Sequence, residues 1–215
     1  MTILKSFLSP GDLPTGVTMD NRTGNLISCD YNTNKIYLHK GVSGTILKSF
    51  SAPFVSPVGV TFDHRTGNLI SCDLDSNRIY LHRGISATRI KEFLAPGSNP
   101  SGVAYDTRTG NLISCDYTAS KIYVHRGISS TILKEFTGPG SDTYGIGFDP
   151  FTGNLLSSDR GTTDFYIHKG VSSTILKSFN SPWSQPSSLC MDVRTHNLIS
   201  CDYSIDRIYL HRGLS

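Results

Sequence analysis

The chain is expected to be all-β: five four-stranded antiparallel sheets set radially about an axis and closed into a ring. Three observations predict this. The 215 residues divide into five units of 43, marked by Thr-Gly-Asn-Leu starting at Thr23, Thr66, Thr109 and Thr152 and by a degenerate fifth copy at Thr195, and such a fixed period signals a repeat architecture. Each unit holds four short strand signals separated by turn residues. The last unit stops after its third strand, at His211 to Ser215, while the chain opens with Thr2 to Phe7, the missing fourth strand.

In the first unit the strands read Gly16–Asp20, Asn25–Asp30, Lys35–His39 and Thr45–Phe50, and a Pro- and Ser-rich segment leads to the next copy. These runs are rich in Ile, Leu, Val, Tyr and Thr and bounded by Gly, Asn, Asp or Pro. No segment keeps apolar spacing of three and four for the length of a helix. Gly24, Gly67, Gly110 and Gly153 close a turn that would demand positive φ, and the fifth copy puts His196 there. Asp20, Asp63, Asp106, Asp149 and Asp192 enter that turn, where a carboxylate accepts turn amides. Crowding of five inner strands about one axis requires small side chains, met by Thr18, Thr61, Ala104, Gly147 and Cys190. The neighbouring Met19, Phe62, Tyr105, Phe148 and Met191, with Leu26, Ile36, Leu47, Phe50 and their counterparts, form the expected core. This is a five-bladed β-propeller in one domain, residues 1–215, with sequence units 1–43, 44–86, 87–129, 130–172 and 173–215. Pairing the N-terminal strand into the last blade would remove two free edges.

Charged residues make up 17% and the net charge is +3, which fits neither a disordered polyelectrolyte nor a strongly basic nucleic-acid binder. No apolar run is long enough to span a bilayer, and Lys5 interrupts the N-terminus too early for a signal peptide. Cys29, Cys72, Cys115 and Cys201 share one repeat position, too far apart for disulfides with one another; Cys190 and Cys201 share a repeat and could come close, but all five are expected to be buried thiols. That leans the localisation towards intracellular, against the single sequon Asn21-Arg22-Thr23.

The order Pro57-Val58-Gly59-Val60-Thr61-Phe62-Asp63, Thr66-Gly67-Asn68-Leu69, Ile70-Ser71-Cys72-Asp73 and Arg78-Ile79-Tyr80 resembles the blade of the NHL-repeat and YWTD-type propellers, across all five repeats. The Y-W-T-D tetrad reads I-S-C-D here, and those relatives usually carry six blades. The resemblance implies a propeller that binds proteins, peptides, RNA or glycans, and a related group of six-bladed lactonases is catalytic.

The segments between the fourth strand and the next first strand vary from copy to copy and share a face with the loops after the second strand. That face is expected to present Tyr31, Phe54, Tyr117, Tyr144, Trp183 and Tyr203 beside Asp30, Asp73, Asp116, Asp159 and Asp202, a combination suited to sugar or peptide recognition. The opposite face is expected to carry Arg22, Arg65, Arg108 and Arg194 with Lys40, Arg83, Arg126, Lys169 and Arg212, a candidate ring for anions. His39, His82, His125, His168 and His211 are expected at strand ends, partly exposed, and too dispersed to share a metal. Lys35, Arg78, Lys121 and Arg207 are expected to pair with the Asp30-type residues five positions earlier. Near-uniform copies offer little of the asymmetry that catalysis needs. The expectation is a monomeric, non-enzymatic, multivalent binding scaffold for a glycan, peptide or protein, with no cofactor and no nucleic-acid or membrane partner. The alternatives are a repeat protein built or trimmed without a selected ligand and a metal-dependent lactonase-like hydrolase.

Overall fold

The computed structural model describes residues 1–213; Leu214 and Ser215, named above at the chain end, lie outside the described residues. The first blade comprises β2 (Pro14–Asp20), β3 (Asn25–Asp30), β4 (Lys35–His39) and β5 (Ile46–Ser51). The second comprises β6 (Pro57–Asp63), β7 (Asn68–Asp73), β8 (Arg78–His82) and β9 (Arg89–Leu94), and the third β10 (Pro100–Asp106), β11 (Asn111–Asp116), β12 (Lys121–His125) and β13 (Ile132–Thr137). The fourth has β14 (Thr143–Asp149), β15 (Asn154–Asp159), β16 (Asp164–His168) and β17 (Ile175–Asn180). The fifth takes β18 (Pro186–Asp192), β19 (Asn197–Asp202) and β20 (Arg207–His211), and its outer strand is β1 (Ile3–Leu8), antiparallel to β20. The chain is thus a five-bladed β-propeller whose N-terminal strand closes the last blade.

The inner strands pack on one another around the axis, β18 against β2 completing the circuit. They meet at Gly16, Gly59, Gly102 and Gly145. A Cβ on Gly16 would lie 2.9 Å from the Val60 nitrogen and 3.0 Å from the Gly59 Cα, inside van der Waals contact, so glycine is what lets adjacent backbones approach this closely. The fifth copy has Ser188 instead, whose Oγ accepts the Val17 N–H at 3.2 Å. Thr18, Thr61, Ala104, Gly147 and Cys190 line a narrow axial cavity of about 40 Å³, as crowding required.

The apolar core is divided into five seams, each shared by neighbouring blades: Ile27, Cys29 and Ile36 of the first blade bury Val60, Phe62 and Leu69 of the second. The cysteines are buried thiols, and desolvation pushes them up, Cys115 and Cys201 to about 12. One expected core position is corrected. Leu47 is 52% exposed, because alternate residues of an outermost strand face away from the seam.

The Thr-Gly-Asn-Leu motif is a set of local fastenings. Thr23 Oγ1 donates to Asp20 Oδ2 at 2.8 Å, Gly24 takes φ +75°, Asn25 Oδ1 accepts the Gly41 N–H at 2.8 Å, and Leu26 is fully buried. The Asp20-type carboxylates therefore build the turn, as its sequence suggested. His196 adopts φ +58° in the fifth copy.

The repeated histidines differ from expectation. His39, His82, His125, His168 and His211 are fully buried, and their Nε2 atoms lie 2.8 Å from the hydroxyls of Ser28, Ser71, Ser114, Ser157 and Ser200 on the neighbouring strand. In the first four, Nδ1 contacts the carbonyl four residues on, such as Ser43 at 2.7 Å. A neutral ring satisfied on both sides can be buried where a charged one could not.

Candidate functional site

The upper face, bearing the loops after the second strand of each blade, is built on the Asp30-type carboxylates. Asp30 Oδ2 accepts the Leu13 N–H at 2.8 Å and Oδ1 accepts the Thr33 N–H and hydroxyl, both at 2.7 Å. Asp73, Asp116, Asp159 and Asp202 clasp the corresponding loops, and all five are buried. Their place as ligand-facing carboxylates is corrected: the oxygens are committed to backbone donors. Replacing Asp30 with Ala strands two inward N–H groups, and a loss of about 2–4 kcal/mol is expected in urea denaturation. An unchanged midpoint would contradict the clasp.

Directly after these aspartates comes the ring position nearest the axis, occupied by Tyr31, Leu74, Tyr117, Arg160 and Tyr203. With Tyr144 and Asp142 they line an axial pocket of about 200 Å³. Phe54 and Trp183, read from the sequence as part of this surface, are 47% and 46% exposed and do not line it; Trp183 packs towards Tyr209 instead, ring centres 6.4 Å apart.

The pocket is asymmetric because the fourth copy departs from the others at three places. Arg160 stands among tyrosines and a leucine, Asp142 replaces Leu13, Ser56, Asn99 or Gln185, and Tyr144 replaces Thr15, Val58, Ser101 or Ser187. The Arg160 guanidinium carbon lies 3.1 Å from the centre of the Tyr144 ring and 4.9 Å from that of Tyr203, and Tyr117 packs on Tyr144 at 5.6 Å. Nε and Nη2 of Arg160 and Oδ1 of Asp142 are removed from solvent with no hydrogen-bond partner among the described residues. Burial pushes the Asp142 carboxyl up, Arg160 opposes that rise and Asp159 adds to it. The sequence placed Tyr144 among the aromatics of this face but did not join it to Arg160 and Asp142; comparing each copy's deviations at axis-facing positions would have done so.

On the lower face the inner arginines clasp neighbouring blades. Arg22 Nε pairs with Asp20 at 3.2 Å, and its guanidinium lies 4.9 Å from the Phe62 ring centre. Arg65 bonds the Tyr105 hydroxyl, Arg108 reaches the Thr152 carbonyl at 3.5 Å, and Arg194 the Gly24 carbonyl at 3.2 Å. Each lies over the turn glycine of the next blade, where a Cβ would collide with the guanidinium. The fourth copy has Phe151 for the arginine, and the residue beneath it is His196, ring centres 4.2 Å apart. Lys40, Arg83, Arg126, Lys169 and Arg212 stand exposed on the outer turns. The expected pairing of Lys35-type residues with Asp30-type residues is corrected too: Arg78 bridges to Glu92 at 3.3 Å, Lys121 to Glu135 at 2.5 Å, and Arg207 bonds Ser6 at 3.0 Å.

Among the described residues no three His, Cys, Asp or Glu side chains gather as a metal site requires. Neither a family model nor a curated protein matches the sequence. Among solved structures, the chain is similar to Myxococcus xanthus glutaminyl cyclase, with a TM-score of 0.78 at 10% identity over 98% of this chain and 94% of that one. It is also similar to the WD40 β-propeller domain of Doa1, with a TM-score of 0.59 at 18% identity over 87% of this chain and 60% of the other. These likenesses concern the fold. The first overturns the expectation of a non-enzymatic protein, which rested on the uniformity of the ring: an enzyme has the same five-bladed architecture.

Proposed function

We propose that the upper axial pocket is the functional site and takes one small polar ligand per chain. The observation that carries this reading is the convergence of the three fourth-copy departures, Asp142, Tyr144 and Arg160, on one cavity. A volume of about 200 Å³ suits a single sugar ring or one residue of a peptide. Tyrosine faces supply the apolar contact, while Nε and Nη2 of Arg160 and Oδ1 of Asp142, which lack partners, supply charge-assisted hydrogen bonds. The resemblance to NHL-type propellers, which bind glycans and peptides, supports the same ligand classes. One asymmetric site also favours single occupancy over the five-fold multivalency that the repeats suggest.

The test is ligand-observed NMR with a library of monosaccharides and dipeptides, against the wild type and Arg160→Tyr, which restores the residue of three other copies. A hit that the variant binds at least ten-fold more weakly is expected. A hit list unchanged by the substitution would refute the site.

A second reading is favoured by the raised Asp142 carboxyl beside Arg160: a proton acceptor next to a cation able to stabilise a developing oxyanion. Such a pair suits attack of an N-terminal amine on the side-chain amide carbon of its own glutamine, the carboxylate taking the amine's proton and ammonia leaving as the C–N bond of the amide breaks; a glutaminyl cyclase shares this fold. Cyclisation of a peptide with N-terminal glutamine, abolished in Asp142→Asn, is its expected result, and no turnover above background would dismiss it.

A further inference from the structure

The lower end of the axis carries a second concavity, of about 360 Å³, separate from the upper pocket. Its five-fold position holds Asn21, His64, Thr107, Pro150 and Val193, which differ in every copy although the adjoining Asp and Thr of the turn are the same in all five. The fourth copy again breaks the pattern: Phe151 replaces the arginine and is 57% exposed at the rim, beside Pro150 and Val193. A surface phenylalanine in a cationic ring makes one wall of the mouth apolar.

The polar wall is fixed by a chain of hydrogen bonds. Asn21 Oδ1 accepts the Val193 N–H at 3.4 Å, so its amide nitrogen faces His64 Nε2, 3.2 Å away. That nitrogen is therefore an acceptor, and in the neutral ring the proton sits on Nδ1. Nδ1 is buried with no partner among the described residues, and His64 lines both the mouth and the narrow axial cavity above it. An acceptor brought into the mouth satisfies this donor through one water in the axial cavity that His64 also lines. Arg22 lines the same mouth, with Arg65, Arg108 and Arg194 on the turns around it.

We infer that the lower mouth is a binding site for a compact aromatic anion, whose ring packs on Phe151, Pro150 and Val193 and whose acceptor oxygens face His64 and Arg22. The apolar wall sets this ligand apart from the inorganic or polymeric anion that a ring of basic turns would take.

The test uses benzoate and phenyl phosphate as probes, with inorganic phosphate as the control, followed by NMR of the histidine ring and the Val193 methyls. Both aromatic probes are expected to shift His64 saturably and to show cross-relaxation from their ring protons to Val193 and Phe151, with inorganic phosphate at least ten-fold weaker. The double substitution Phe151→Arg with His196→Gly restores the pair found at the other blade junctions and is expected to weaken both probes at least ten-fold. Arg160→Tyr is expected to leave them unchanged, which separates this site from the upper pocket. Equal affinity for inorganic phosphate, full binding by the double variant, or shifts confined to the upper face would each overturn the inference. Should the double variant fail to fold, the cross-relaxation pattern in the wild type decides.

Discussion

Acidification from pH 7 to pH 4 is expected to unfold the protein cooperatively. Desolvation lowers His39, His82, His125, His168 and His211 from the ordinary imidazole value, His82 and His211 to about 4. A histidine depressed in the folded state binds its proton first in the unfolded chain, so stability is full above about pH 6.5 and falls as pH drops towards the folded value. A fall from 6.5 to about 4 corresponds to about 3 kcal/mol for each of His82 and His211. Those two alone rival the total stability of a typical domain, about 5–15 kcal/mol. Urea midpoints measured at half-unit pH steps should decline steeply through this window, and His82→Gln, which cannot charge, should reduce the slope by about one proton. A flat profile between pH 7 and 4 would contradict burial of these rings.

Deleting residues 1–8 is the second large perturbation. β1 pairs along β20 through Phe7↔Ile208 and Ser6↔Tyr209, and Phe7 packs into the seam that contains Val17 and Ile208. The segment also sends Lys5 Nζ to the Val42 carbonyl at 2.9 Å, tying the fifth blade to the first. Losing a packed phenylalanine and a strand's worth of hydrogen bonds is expected to cost about 4 kcal/mol or more. Thr2 to Phe7 has the same sequence as Thr45 to Phe50, so a synthetic peptide of the N-terminal segment should restore the lost stability in trans. An unchanged urea midpoint in the truncated chain would show that the outer strand is not what closes the ring.

Strand positions, the axial row of small residues and the closing strand were legible because each follows from a period that a linear chain displays openly. The burial of the histidines was not, although the signal was present: Ser28 and His39, eleven residues apart, have counterparts in every copy, and they meet only because β3 and β4 are neighbours in register. The Asp30-type carboxylates misled for a related reason. A repeated acidic residue at a loop reads as display, whereas its donors, such as the Leu13 amide, come from a loop seventeen residues away. The upper pocket was half legible: its tyrosines, Tyr144 included, were named, but Arg160 and Asp142 join them only after the ring folds them to one axis.

The contact between Phe151 and His196 constrains how such a chain can be rearranged. Each junction is a lock whose halves are carried on consecutive modules, arginine over glycine at four turns and ring over ring at the fourth-to-fifth turn. Moving the fourth module elsewhere would set phenylalanine over a bare glycine and leave an arginine pressing on an imidazole. The modules therefore have a fixed seating order, and the heritable unit of this ring is the boundary between two repeats.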